Sequence, residues 1–80
     1  MEFDKNKVDE ATLALLWLVM EKGDSDISRA WKGFDWDTMN RLHEKGFISD
    51  PKSKAKSVVV TEEGERQAKE LFERMFALSK

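Results

Sequence analysis

Between Phe34 and Phe47 the sequence FDWDTMNRLHEKGF marks both ends of one helix, and the rest of the chain has to be arranged around it. Asp35 can offer its carboxylate to the first free amides, and Asp37 complements the positive end of the helix dipole. Phe34 and Met39 stand at the spacing of a hydrophobic staple across that cap. At the other end Gly46 suits the left-handed residue after Lys45, and Phe47 can fold back on Leu42, the contact of a Schellman ending. A helix over 36–45 is therefore predicted.

The flanks are read from periodicity. Upstream, DSDISRAWKG predicts a short helix from Ile27 to Lys32, with Ile27, Ala30 and Trp31 on one face and Gly33 ending it. The turn Gly33 to Asp35 then separates two helices at helix-turn-helix spacing. A longer first helix is predicted from Lys7 to Lys22, with Asn6 as its cap, Asp9 in its first turn and Gly23 just past its end. Val8, Ala11, Leu15 and Leu18 form one apolar stripe, while Leu13, Leu16, Trp17 and Met20 cover much of the remaining surface. Such a surplus implies near-complete burial or a second surface on which a partner chain packs. Downstream, Phe47 to Asp50 and Ser57 to Val60 have strand character and are joined by the polar tip PKSKAK. Thr61 can cap a last helix with Glu62 and Glu63 in its first turn and a buried face of Ala68, Leu71, Phe72 and Met75, with Phe76 or Leu78. The chain 1–80 reads as a single domain, mostly α with a small β-hairpin: a winged helix-turn-helix of four helices with the hairpin between the third and fourth.

Composition removes several function classes. There is no cysteine, which excludes disulfides, thiolate zinc sites and a cysteine nucleophile, and His43 is the only histidine. No catalytic constellation or metal site is evident, so a non-enzyme without a cofactor or small-molecule substrate is expected. Asp24, Asp26, Ser28 and Asp35 fall at spacings of a calcium loop, but Arg29 stands where that loop needs glycine, and helix capping explains the residues more simply. The opening MEFDKNKVDE lacks the basic-then-apolar order of a secretory signal. The longest low-charge run, Ala11 to Met20, is half of the roughly twenty residues a bilayer span needs. A cytoplasmic protein with no membrane contact is expected. A net charge of −2 gives no general attraction to nucleic acid.

Candidate binding residues fall in three groups. On the third helix Trp36, Met39, Leu42 and His43 gather on one side of a helical wheel, leaving Asp37, Arg41, Glu44 and Lys45 outside. Asn40 and Arg41 have the chemistry to read base edges, with Lys45 beside them, although Asp35 and Asp37 lie where phosphate would approach. On the hairpin tip Lys52, Lys54 and Lys56 alternate; they can meet a phosphate backbone or simply keep an edge soluble. Around the turn Trp31, Phe34 and Trp36 crowd six positions. Packing the second and third helices on the first is their expected role, with an aromatic docking platform as the alternative.

LHEKGFISD followed by VVVTEEG resembles the passage of PadR-like and multiple-antibiotic-resistance-type regulators in which a third helix enters the wing and the wing enters the last helix. More closely, RAWKGFDWDTMNRLHEKGFISDP, KAKSVVVTEEG and the opening MEFD resemble a small bacterial family classed as a domain of unknown function, over nearly the whole chain. The regulator resemblance implies a DNA-binding transcriptional regulator on a winged-helix fold. That is the expected function, with double-stranded DNA as partner and a homodimer through the first and last helices. The alternative is a protein-interaction module on the same scaffold, using Trp31, Phe34 and Trp36.

Overall fold

The helix marked between Phe34 and Phe47 forms in the computed structural model, which describes residues 1–22 and 27–78. It is α2 (Trp36–Glu44) in a chain order of α1 (Lys5–Val19), β1 (Glu21–Lys22), β2 (Ser28–Trp31), α2, β3 (Ser57–Val60) and α3 (Glu62–Phe76). Asp35 caps α2 by accepting from the Thr38 amide at 3.1 Å. At its end the Phe47 amide donates to the Leu42 carbonyl at 3.0 Å and the Gly46 amide to that of His43 at 2.9 Å, the two bonds of a Schellman motif. Gly46 supplies the left-handed φ of 82°.

The buried face of α2 is turned from the predicted one. Thr38, Met39 and Leu42 are buried, while Trp36 and His43 are exposed. Thr38 can face the core because its hydroxyl donates to Asp35 and accepts from Arg41, so no polar atom is left unpaired there. His43 sits outside and holds the Ile48 carbonyl with Nδ1 at 3.0 Å. A carbonyl oxygen only accepts, so that nitrogen carries the proton.

The largest correction concerns Ile27–Lys32, which is not a helix. Residues 28–31 form β2, the middle strand of a three-stranded antiparallel sheet ordered β1-β2-β3. Glu21 and Lys22 pair with Arg29 and Ser28 on one side, and Ser28 to Trp31 pair with Val60 to Ser57 on the other. Ile27 and Trp31 are four residues apart and gave a helical spacing. The true alternation is carried by the small residues Ser28 and Ala30, each 2% exposed, with Arg29 and Trp31 facing solvent. Pairing with the β-branched run Val58 to Val60 overrides the local signal. The turn Gly33 to Asp35 thus joins a strand to a helix, the helix-turn-helix pair is not formed, and three helices replace four among the described residues.

Smaller corrections follow the same logic. The first helix begins earlier than predicted because Asp4, not Asn6, caps it, accepting from the amides of Asn6 and Lys7 at 3.0 and 3.2 Å. It stops at Val19, since Glu21 and Lys22 are drawn into the sheet. Gly23, its predicted stop, lies outside the described residues, as do Asp24 and Asp26 of the calcium-loop spacing. The buried face of α1 is Asp9, Thr12, Leu13, Ala14 and Leu16, whereas Leu15 and Leu18 of the predicted stripe are exposed. The first arm of the hairpin is reduced to one bridge, Ile48 to Val60, with the Ser49 amide donating to the Val59 carbonyl at 2.8 Å. Thr61 caps α3 as predicted, accepting from the Gly64 amide at 2.9 Å. Ala68 and Leu71 are buried but Met75 is exposed.

Leu13 and Leu16 of α1, Met39 and Leu42 of α2, Ala68 and Leu71 of α3, Ile48, and Ala30, Val58 and Val60 of the sheet make one core. Each large member contributes about 1.5–3 kcal/mol of apolar burial. The outer side of β2 and residues 52–56 remain in solvent. No helix among the described residues is long and apolar enough to cross a membrane.

Candidate nucleic-acid interface

The cations predicted to read bases from α2 are held elsewhere. Arg41 Nε donates to Asp9 Oδ1 and Lys45 Nζ to Asp9 Oδ2, both at 2.8 Å. Asp9 projects from α1 and is 2% exposed. Arg41 also reaches the Thr38 hydroxyl at 3.0 Å, and that hydroxyl donates to Asp35 at 2.8 Å. A continuous polar chain therefore joins the cap of α2 to the interior end of α1. Hydrogen bonds from the Thr38 hydroxyl and amide, with the Arg41 charge adding to them, hold the Asp35 carboxyl below the usual aspartate range. It stays ionised, and Asp37 beside it and Glu44 at the far end of α2 are also exposed. Asn40 is half-buried. An α2 so arranged presents acids, not bases, to an approaching phosphate.

The segment 51–56 is different. Lys52, Lys54 and Lys56 are all exposed, and none has an ion-pair partner among the described residues. The segment is fixed at its root: Pro51 is buried, the Asp50 carboxylate accepts from the Lys52 amide at 2.9 Å, and Lys32 Nζ donates to the carbonyls of Pro51, at 2.7 Å, and Ser53. The Lys32 amide donates to the Lys56 carbonyl at 3.2 Å, which extends the β2–β3 ladder by one bond and sets Lys56 beside Trp31. Three lysines are thus presented on a loop whose position is set by its backbone.

The three aromatic residues separate. Phe34 is half-buried against the core, as the packing role requires, but Trp31 is 61% exposed and Trp36 53% exposed. Neither tryptophan locks two helices together. The benzo ring of Trp31 lies over Gly33, in space that a β-carbon at residue 33 would occupy. On the same outer side Arg29 Nε donates to Ser57 Oγ at 2.9 Å.

Two features of this region differ from the expected ones. Asp9 is a buried counter-charge and not only a first-turn acid: Asp9, Leu13 and Leu16 fall at i, i+4 and i+7, a spacing that places an acid at the head of a buried stripe. Arg29 faces solvent from β2, where a helix is expected from the local spacing. The alternation of Ser28 and Ala30 with Arg29 and Trp31 was the available signal. Among the described residues no group of three or more acid or histidine side chains is placed to hold a metal ion.

Comparison with known proteins gives a family but no activity. Residues 4–78 match the family model described as "Domain of unknown function (DUF6429)". The chain is 54% identical over 76 residues to the "Uncharacterized protein y4hR" of Sinorhizobium fredii (strain NBRC 101917 / NGR234), an alignment covering 95% of this chain and 97% of that protein. No solved structure matches it significantly.

Proposed function

The chain belongs to this family of unknown function, and on that premise we propose that it is a small nucleic-acid-binding domain, regulator-like and non-enzymatic, that meets phosphate with its 51–56 loop. The observation that carries the reading is the contrast between two sets of cations. Arg41 and Lys45 are committed to Asp9, whereas Lys52, Lys54 and Lys56 are exposed on a loop anchored by Lys32. A winged-helix reading supports this contact in reduced form. In that reading the 51–56 loop stands where a wing would, with Ile48 bridged to Val60 at its base, while the segment preceding α2 is a strand.

Counterion release makes the test quantitative. Each neutralised phosphate contributes about 0.9 to the slope of log affinity against log salt for duplex DNA. Wild-type protein is expected to bind mixed-sequence duplex at low salt, and replacing Lys52, Lys54 and Lys56 together by alanine is expected to flatten the slope by roughly two to three. An unchanged slope, or no binding at about 50 mM salt, rules the reading out.

A second reading, association of two copies, rests on a different face. Leu18 of α1 and Phe72 of α3 line one depression, and the Phe72 and Phe76 rings, 5.2 Å apart, continue it along α3. Leu18 is 65% and Phe76 49% exposed. Lys69 and Glu73 stand on α3 within one turn of Phe72, one of each sign, so a two-fold axis can set each against its opposite in a second copy. A mass of about twice 9.3 kDa by light scattering is expected, returning to the monomer on Leu18→Lys. A wild-type monomer at tens of micromolar removes this reading.

A further inference from the structure

The outer side of the sheet carries more than its lysines. In β2, Arg29 and Trp31 point to solvent, opposite Val59 and Ser57 of β3 in register. Trp31, Arg29 and Lys56 line one shallow depression of about 240 Å³ together with Glu21. An indole more than half exposed is costly to hydrate, and here it is also held in place, since its benzo ring lies on Gly33. The lysine loop runs directly from this depression: the Lys32 amide bond to the Lys56 carbonyl ties the end of β2 to the end of the loop, and Lys54 and Lys52 follow.

A fixed aromatic ring on an open strand face, bordered by cations, is the arrangement that takes an unpaired base by stacking and its neighbouring phosphates by charge. Inside a duplex the base faces are covered by their neighbours, so such a ring has nothing to stack on. The groove-entering alternative is disfavoured in this molecule because α2 presents Asp35, Asp37 and Glu44 outward. We infer that the solvent side of β2 is a stacking site for single-stranded nucleic acid, with Trp31 carrying one base and Arg29, Lys56 and Lys54 its flanking phosphates. This rests on the phosphate-binding reading of the 51–56 loop and narrows its ligand from nucleic acid in general to single strands. Glu21, paired in register with Arg29, is the one acid among the described residues that line the depression and sets the edge at which the strand leaves.

The test is fluorescence anisotropy with labelled oligothymidylate and oligouridylate of about 15 nucleotides, matching a short single-strand site, and with a duplex of the same length. The two oligonucleotides separate DNA from RNA as the source of the strand, and binding of either supports the site. Wild-type protein is expected to hold the single strand at least several-fold tighter than the duplex. Trp31→Ala is expected to weaken single-strand binding roughly ten-fold or more, Trp31→Phe far less, with duplex binding unchanged in both. Gly33→Ala, which displaces the ring without removing it, is expected to weaken the single strand as well. Circular dichroism checks that each variant is folded. If folded Trp31→Ala binds single strands as tightly as wild type while the lysine variant still loses its salt slope, stacking is refuted and the phosphate reading stands. If wild-type protein binds none of the probes, both fail together.

Discussion

Replacing Gly64 by alanine is expected to destabilise the domain, although the same change at an ordinary position inside a helix stabilises by about 1 kcal/mol. Gly64 lies in the first turn of α3 and is buried against the Phe47 backbone. A β-carbon there would fall inside the envelope of the Phe47 carbonyl oxygen and 2.8 Å from its carbon. That carbonyl cannot swing aside freely, because it accepts from the Thr61 amide at 3.0 Å and from the Thr61 hydroxyl at 3.2 Å. The hydroxyl also bonds the Gly46 carbonyl at 2.7 Å, so the end of α2, residue 47 and the cap of α3 form one junction. Overpacking against backbone costs about 1–3 kcal/mol and outweighs the propensity gain. A net loss of up to about 2 kcal/mol lowers Tm by up to roughly 16 °C in a domain of this size. Thermal melts of Gly64→Ala that match or exceed wild type would show that α3 does not press on residue 47.

That junction was legible in the sequence for the same reason it is sensitive to substitution. Caps, staples and a Schellman ending are written in residue types at fixed offsets, so Asp35, Gly46, Phe47 and Thr61 could be placed without knowing what surrounds them. Long-range pairing leaves no such mark. Ser28 and Ala30 are small and carry little apolar signal, and their burial depends on Val58 and Val60 lying across from them. Ile27 and Trp31 were conspicuous for their size and are exposed, so weighting residues by hydrophobicity reversed the inside and outside of β2. The binding residues divide in the same way. The lysine loop could be found from composition, since exposed lysines need no tertiary partner. Arg41 and Lys45 were assigned to solvent because Asp9, more than thirty residues earlier, could not be foreseen as their buried counter-charge.

The Asp9 cluster yields an asymmetry that separates structure from binding. Asp9 is buried, whereas the side chains of Arg41 and Lys45 are 24% and 38% exposed. Removing the acid leaves two cations that can turn to water, so Asp9→Ala is expected to cost about 1–3 kcal/mol, part of it the cavity. Removing both cations strands a carboxylate inside the fold. Arg41→Ala with Lys45→Ala is therefore expected to cost more, about 3–5 kcal/mol. Urea unfolding of the variants distinguishes the cases, and an Asp9→Ala loss larger than that of the double variant contradicts the scheme. The single Arg41→Ala protein, in which Lys45 still meets Asp9, should remain folded and keep the wild-type salt slope with nucleic acid. The loop-lysine variants should behave in the opposite way, folding normally while losing that slope, because Lys52, Lys54 and Lys56 make no ion pair among the described residues for folding to depend on. Cations that hold α1 to α2 and cations offered to a phosphate backbone are thus told apart by which measurement moves, and α2 is placed in the first class by the carboxylate it encloses.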